Sequence, residues 1–532
     1  MSFKQIFTLA LSLASFLLTG TLATADSTAQ DLLAKLWTGD AWFQEQPETI
    51  GNPGDHMHFL SMFWDSDPVD TPGDPHYKAY YIGAPGFSTR LARSYDGVGF
   101  VDTGPVLTIG SPGQWDDRIA SFSSVWKDNG TYYLVYEGAG TDSMWPGDIG
   151  LATSADGVNF TRQGRIFTHA TRRSFERTNI GTPSLHKEGD TWYLYYHGYD
   201  GEDVQVNVAT GTDLATNMTR VQTTPLIPTS SDGWDSGTVG KRSRLVKAGD
   251  YYYMAYEGST DKPFDTASWS TGMARSTDLL HWERLPTNPV LPVTGSGFGL
   301  DGPEMLLIDD DIYIYYRTLS NHTARAKLVA SVDYKLDFEG GDFSGWGYVS
   351  MDGVVGDNGP SSPGSHAAAM TIANPQSYEQ AVSKGIRIRT EETLDLSFDY
   401  KTLPGATGGW RVQLRYWNGV GANGFSDGST ATFLGEHSIA LDTTNGLWAT
   451  KQVTELATPD PSATYVDIRI IANAFGSFEG TALVDNFHLS STATVPEPSM
   501  LSLLLLGTAL ACTDRCALLR STVAFQRSAQ HD

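Results

Sequence analysis

Ionisable residues recur along this chain in a pattern that could do chemistry. Carboxylates open successive stretches: Asp116 with Asp117, then Glu176, Asp235, and Asp301 with Glu304. Cations stand among them at Arg118, Arg177, Lys241, Arg242 and Arg244. Two carboxyls flanking one bond, one protonated and one ionised, form a general acid and base pair. Crowding acids in one enclosure raises the pKa of one of them, which supplies the acid at neutral pH. Arginine forks bind planar anions. The cations therefore suit an anionic ligand; alternatively, each neutralises a neighbouring acid. Asp116 and Asp235 recur in Trp-Asp pairs with Trp115 and Trp234, which reads as turn chemistry. No metal cluster, glycine-rich phosphate loop or Ser-His-Asp spacing stands out, so no catalytic cofactor is expected.

Such residues need a scaffold that brings them together, and the chain repeats itself. The phrases LARSYDGVGF, LATSADGVNF, VATGTDLATN, MARSTDLLHW and LVASVDYKLD place Asp96, Asp156, Asp213, Asp278 and Asp333 at one position. The spacings are 156−96=60, 213−156=57, 278−213=65 and 333−278=55. A period of this kind marks a repeat architecture. Ahead of each phrase runs a tyrosine-rich strand: HYKAYYIG, TYYLVYEG, TWYLYYHG, YYYMAYEG and DIYIYYR. Short strands joined by tight turns follow from this, and no helical period appears anywhere. Five such units predict an all-β chain whose residues 40–334 close into a five-bladed β-propeller, since radial closure shields sheet edges. A propeller gathers the start of every innermost strand around one funnel. At the end of the tyrosine-rich strands the chain carries Ile82, Glu137, His197, Glu257 and Arg317, blade by blade. A position of varying charge in a well-repeated strand reads either as an asymmetric pocket rim or as outward loops. Glu304 aligns with Ser124, Ser184 and Arg244, so it breaks the repeat and becomes a candidate acid.

The phrase GDHMHF, Gly54 to Phe59, resembles the Gly-Asp-x-Met-x-Phe opening of blade one in invertase-like and arabinanase-like five-bladed glycosidases. WDSGTVGKRSRLVKAGDYYYMAYEG and GTPSLHKEGDTWYLYYHG are similar to repeats of the same superfamily. The resemblance covers the whole propeller and implies a glycosidase fold with Asp55 as base or nucleophile. The family's second aspartate, before the proline of blade three, is replaced by Thr182. Its glutamate on the fourth inner strand is replaced by Lys241 and Arg242. Glu304 or Glu176 would then serve as the acid, with Asp117, Arg118, Glu137, Arg177, His197, Lys241, Arg242, Glu257, Asp301 and Arg317 around the substrate. Tyr196-His197-Gly198 resembles a phrase in mannoside phosphorylases, which adds phosphate as a possible nucleophile. The two lost carboxylates favour a competing expectation, a non-catalytic propeller that binds polysaccharide.

The remainder of the chain frames this unit. Residues 1–25 join Lys4, an apolar run and small residues, as a secretory signal peptide does. Residues 336–490 alternate polar and apolar in strands such as TLDLSFDYK and YVDIRIIAN, which predicts an antiparallel β-sandwich. Its opening and closing phrases resemble jelly-roll carbohydrate-binding modules. That resemblance implies a structural calcium on Asp337, Glu339 and Asp485, and Trp410, Tyr416, Trp417 and Trp448 are candidates for a sugar-stacking platform. Hard oxygen ligands suit calcium; solvated surface acids are the alternative. VPEPS, an apolar run and Arg515 with Arg520 resemble a PEP-CTERM sorting signal over 495–520. It implies export to a bacterial envelope and an exosortase-type processing partner. The only cysteines, Cys512 and Cys516, lie in that tail, so the folded body uses no disulfide. A net charge of −25 argues against nucleic acid and anionic membranes as partners.

Overall fold

The computed structural model describes residues 27–492 apart from 48–49, 52–56, 141–146, 170–173, 263–266, 294–298, 320, 339–342, 344, 357–365, 374–377, 390–391, 422–424, 427, 430 and 473–477. The signal and sorting segments, Asp55 and Glu339 lie outside the described residues.

The chain is all-β, a five-bladed propeller followed by a jelly-roll sandwich. In each blade an innermost strand turns back into a tyrosine-rich second strand. The innermost strands are His58–Asp65, Ile119–Asp128, Asn179–Glu188, Thr238–Arg242 and Asp301–Ile308. Their partners are His76–Gly83, Thr131–Ala139, Thr191–Tyr199, Tyr251–Ser259 and Asp311–Arg317. The joining turns suit their sequences. Asn129-Gly130 and Asp309-Asp310 place both residues at positive φ, which matches the twist of a tight hairpin.

A circuit of hydrogen bonds between innermost strands closes the ring. The Val125 N–H donates to Ser61 Oγ and the Leu185 N–H to Ser124 Oγ, each at 3.0 Å. Ser184 Oγ donates to the Ser243 carbonyl at 3.3 Å. The Arg244 and Met62 N–H groups donate to the two oxygens of Glu304, both at 3.0 Å. Strand Trp42–Glu45, from the N-terminal side, pairs with Thr323–Val329 and completes blade five.

That closure explains the repeated aspartate. Asp96, Asp156, Asp213 and Asp278 each accept two backbone N–H groups in the turn from third to outer strand. Blade five draws its outer strand from elsewhere in the chain, so it has no such turn. Asp333 instead accepts from His488 inside the sandwich, and strand Asp333–Leu336 pairs with Gly480–Thr492. The propeller strands therefore end at Val329, and residues 333–334 belong to the sandwich.

The sandwich packs two six-stranded antiparallel sheets around Leu396, Phe398, Val412, Leu414, Ile468, Val484 and Phe487. Trp42 and Val329 of the propeller join the same buried cluster, so the two domains share a packed face. One element departs from the sequence expectation. Ser27–Thr38 is a helix whose Ala29, Leu32, Leu33 and Leu36 pack on Val246, Ala248 and Tyr253 of blade four. Their i, i+3, i+4, i+7 spacing is a short helical stripe, and it contradicts the absence of any helical period.

Candidate functional site

A cavity of about 500 Å³ opens where the innermost strands begin. All five positions at the ends of the tyrosine-rich strands line it: Ile82, Glu137, His197, Glu257 and Arg317. A bulge at the same place in every innermost strand sets this up. The ladder skips from His58 to Ser61, Ser121 to Ser124, Gly181 to Ser184, Val239 to Arg242 and Asp301 to Glu304. Inside it Phe59, Phe122, Thr182 and Gly302 take positive φ. A β-branched or bulky residue there is strained, and such strain collects at ligand sites. The bulge turns Phe59, Phe122 and Thr182 to the cavity beside the ring residues.

The glutamates of the ring are tied to the next blade. Glu137 Oε2 accepts the Thr182 N–H at 2.9 Å, and Glu257 Oε2 accepts the Gly302 N–H at 2.8 Å. A side chain on Gly181 would overlap the Glu137 carboxylate, and one on Gly240 that of Glu257, which explains the glycines. Burial pushes Glu137 up to about 7, against the pull of the Thr182 bond. Asp301 is forked by Arg317 through Nε at 2.7 Å and through Nη2. Burial raises this carboxyl, the guanidinium opposes the rise, and the Glu257 charge adds to it.

Thr182 is a hub. Besides its N–H, its carbonyl accepts from Arg242 Nη2, and its hydroxyl meets His197 Nδ1 at 2.8 Å. The Gly147 N–H fixes Asn179 Oδ1, so Asn179 Nδ2 donates to His197 Nε2 at 3.1 Å. His197 therefore carries its proton on Nδ1 and donates it to Thr182. Burial, then the Arg242 charge, push the imidazole down to about 3, so it stays neutral. Burial pulls the wholly enclosed Arg242 down to about 9, opposed by Glu257, and it remains a cation at neutral pH. Its Nε and Nη1 meet no hydrogen-bond partner among the described residues.

Several expected site residues lie elsewhere. Glu176 is absent from the described cavity lining. It accepts from Tyr196 and Arg220 as Asp116 does from Tyr136 and Arg162, and Asp235 from Tyr256 and Arg284. It is the third copy of a structural clasp. Glu304 is also absent from the lining, and the ring circuit aligns it with Ser243 rather than Arg244. It replaces a serine because its two oxygens must reach blades four and one together. Asp117 caps the Gly113 N–H at 2.6 Å. Arg118 and Arg177 are exposed, and Arg177 Nε donates to the Asp200 carbonyl. Arg242 lies buried behind the wall. Lys241 sits on the innermost strand of blade four, with its side chain outside those described. Among the described residues the cavity thus gathers three acids and one arginine, and that arginine is engaged by Asp301. Phe59, Phe122 and Trp269 were missed as lining residues. The repeat alignment itself pairs Phe59 with Phe122.

In the sandwich, Trp410, Tyr416 and Trp417 are buried and Trp448 is half-buried, so the first three form no open stacking platform. Asp485 is buried and Asp337 exposed, near each other in the sheet because Leu336 pairs with Phe487. Among the described residues no three acids, histidines or cysteines gather as a metal site.

No family model matches the chain, and no curated protein does. Among solved structures, a glycoside hydrolase is 16% identical, covering 56% of this chain and 94% of its own at a TM-score of 0.43. A thermostable family-43 glycoside hydrolase is 17% identical, covering 54% and 93% at 0.40. A β-1,2-mannobiose phosphorylase from Listeria innocua is 16% identical, covering 52% and 81% at 0.36. At these scores the likenesses assign neither chemistry nor substrate to this chain.

Proposed function

We propose that this chain is a glycoside-hydrolase-like protein whose funnel holds a carbohydrate and attacks it by carboxyl acid/base chemistry. One observation carries the reading. Glu137, raised to about 7, faces the same cavity as Glu257 and Asp301. A carboxyl with a pKa near neutrality can hold a proton for a leaving group while another stays ionised. Glu137 is the proposed acid. Glu257, across blade three from it and beside the Arg242 cation, is the proposed ionised partner. Asp301 and Arg317 would orient hydroxyls. Asp55 remains a candidate base on its motif alone.

The competing reading is a binding propeller without catalysis. It is favoured by Thr182 and by Lys241 with Arg242, which stand where the two carboxylates would be expected on the innermost strands, and by the latch role of both glutamates. Export, envelope anchoring and exosortase-type processing are proposals that rest on residues 1–25 and 495–520. A panel of neutral and anionic polysaccharides, assayed for released reducing ends and for binding, separates the readings. Glu257→Gln should slow release while binding persists, because a carboxylate acting in the transition state is lost. Binding without release by the wild type would favour the second reading.

A further inference from the structure

The cavity has two unlike halves. Blades two to five contribute the polar side chains from Glu137 round to Arg317, with Val204 and Trp269 as apolar members among them. Blade one and the adjoining edge of blade two contribute Phe59, Ile82, Ala84, Phe87, Ile119 and Phe122, with His58 as the polar member of that wall. Ile82 is the one apolar residue among the five ring positions, so the repeat breaks toward apolarity just where this wall stands. Phe59 and Phe122 meet edge to face at 4.8 Å between centroids. Both hold positive φ, a strained state for a bulky residue that turns the pair toward the cavity. Phe87 is 44% exposed at the opening, an apolar side chain facing solvent on the same wall.

Charge constrains the ligand further. Among the described lining residues the acids outnumber the cation three to one, and that cation is forked by Asp301. An added carboxylate or sulfate would meet repulsion from Glu137, Glu257 and Asp301, which argues against a uronic or sulfated sugar. A fully hydroxylated sugar would set a hydroxyl against Ile82, Phe59 and Phe122, side chains that accept no hydrogen bond, and a buried unmet hydroxyl is costly. The cavity volume lies within the range of about 300–1,000 Å³ that encloses one small ligand.

From these observations we infer that the funnel selects a neutral sugar unit bearing a methyl group, as a 6-deoxy or O-methylated hexose does. Its apolar edge lies on the blade-one wall and its hydroxyls face the ring from Glu137 to Arg317. This inference rests on the carbohydrate reading above and narrows its substrate class.

The test uses the full propeller–sandwich protein and matched methyl glycosides: fucose against galactose, rhamnose against mannose, and each with a uronate counterpart. Binding is read by saturation-transfer NMR and calorimetry. The methyl-bearing member of at least one pair should bind about tenfold more tightly, the scale set by one methylene in an apolar pocket, and the uronates should bind most weakly. Ile82→Asn should erase the preference. Phe87→Ser, at an exposed position that leaves the fold intact, should reduce it. Equal binding within every pair, or a preference for uronates, would overturn the inference and leave the carbohydrate reading standing. Binding to no sugar at all would overturn both.

Discussion

Glu304→Gln separates a structural glutamate from a catalytic one. Both oxygens of this buried side chain accept backbone N–H groups, from Met62 and Arg244, at 3.0 Å each. Burial also pulls the Arg244 guanidinium down, and the Glu304 charge offsets that pull. Glutamine keeps one acceptor oxygen and turns an amide N–H₂ toward a donor. One orphaned buried donor costs about 1–3 kcal/mol, so a loss of about that size is expected. That is a large part of the roughly 5–15 kcal/mol that holds a domain folded. Urea unfolding followed by tryptophan fluorescence reads the loss, and ligand binding per folded molecule reads the site. The substitution should lower the unfolding midpoint and leave binding per folded molecule unchanged. A variant as stable as wild type that no longer turns over substrate would refute the reasoning and return Glu304 to the chemistry.

Asp156→Ala should cost about 1–3 kcal/mol at neutral pH, since the carboxylate accepts the Val158 and Asn159 N–H groups at 2.8 Å each. Burial raises this carboxyl, but bonds from Asn159, Val158 and Ser154 outweigh it and hold the group well below the usual range. Its contribution is therefore present above the unfolded value of about 4 and lost as pH falls toward the folded one. Denaturation at stepped pH should show the gap between wild type and variant closing in acid. If Asp337 and Asp485 hold calcium together with Glu339, EDTA should lower the sandwich melting temperature and calcium restore it; no shift leaves them ordinary acids. Trp42→Ala should cost about 3–5 kcal/mol, because the ring lies in the shared core with Arg389 5.0 Å above it. It should also expose the join between 329 and 333 to protease, whereas wild type resists cleavage there.

The propeller was legible because each blade repeats the same physical solution. Tyrosine-rich strands fill the space between blades, and an aspartate caps the outer turn of blades one to four. The fifth aspartate misled, since sequence similarity at Asp333 hides that its strand pairs in another domain. The ring position was legible through its changing charge: a structural position repeats, whereas a ligand-facing one must differ from blade to blade. Glu304 differs as well, but for a structural reason that sequence does not carry, namely the reach from blade five to blades four and one. Glu176 had a readable signal. It stands 176−116=60 residues after Asp116 and 235−176=59 before Asp235, and Tyr136, Tyr196 and Tyr256 keep the same spacing. The cations were misjudged because clustering in sequence at strand starts says nothing of direction. Arg118 and Arg177 point to solvent, and Arg242 turns behind the wall.

The most direct test of the account is the pH dependence of carbohydrate release by wild type and Glu137→Gln. Glutamine keeps an oxygen for the Thr182 N–H, so the latch and the fold survive. It cannot donate a proton to a leaving group. With the folded value near 7, Glu137 loses its proton as pH rises through neutrality, so wild-type release should fall on the alkaline side. Glu137→Gln should bind the same sugars, lose about 10²–10⁴-fold in turnover, and no longer show that alkaline limb. A Glu137→Gln protein that releases sugar at the wild-type rate with an unaltered pH profile would contradict the account.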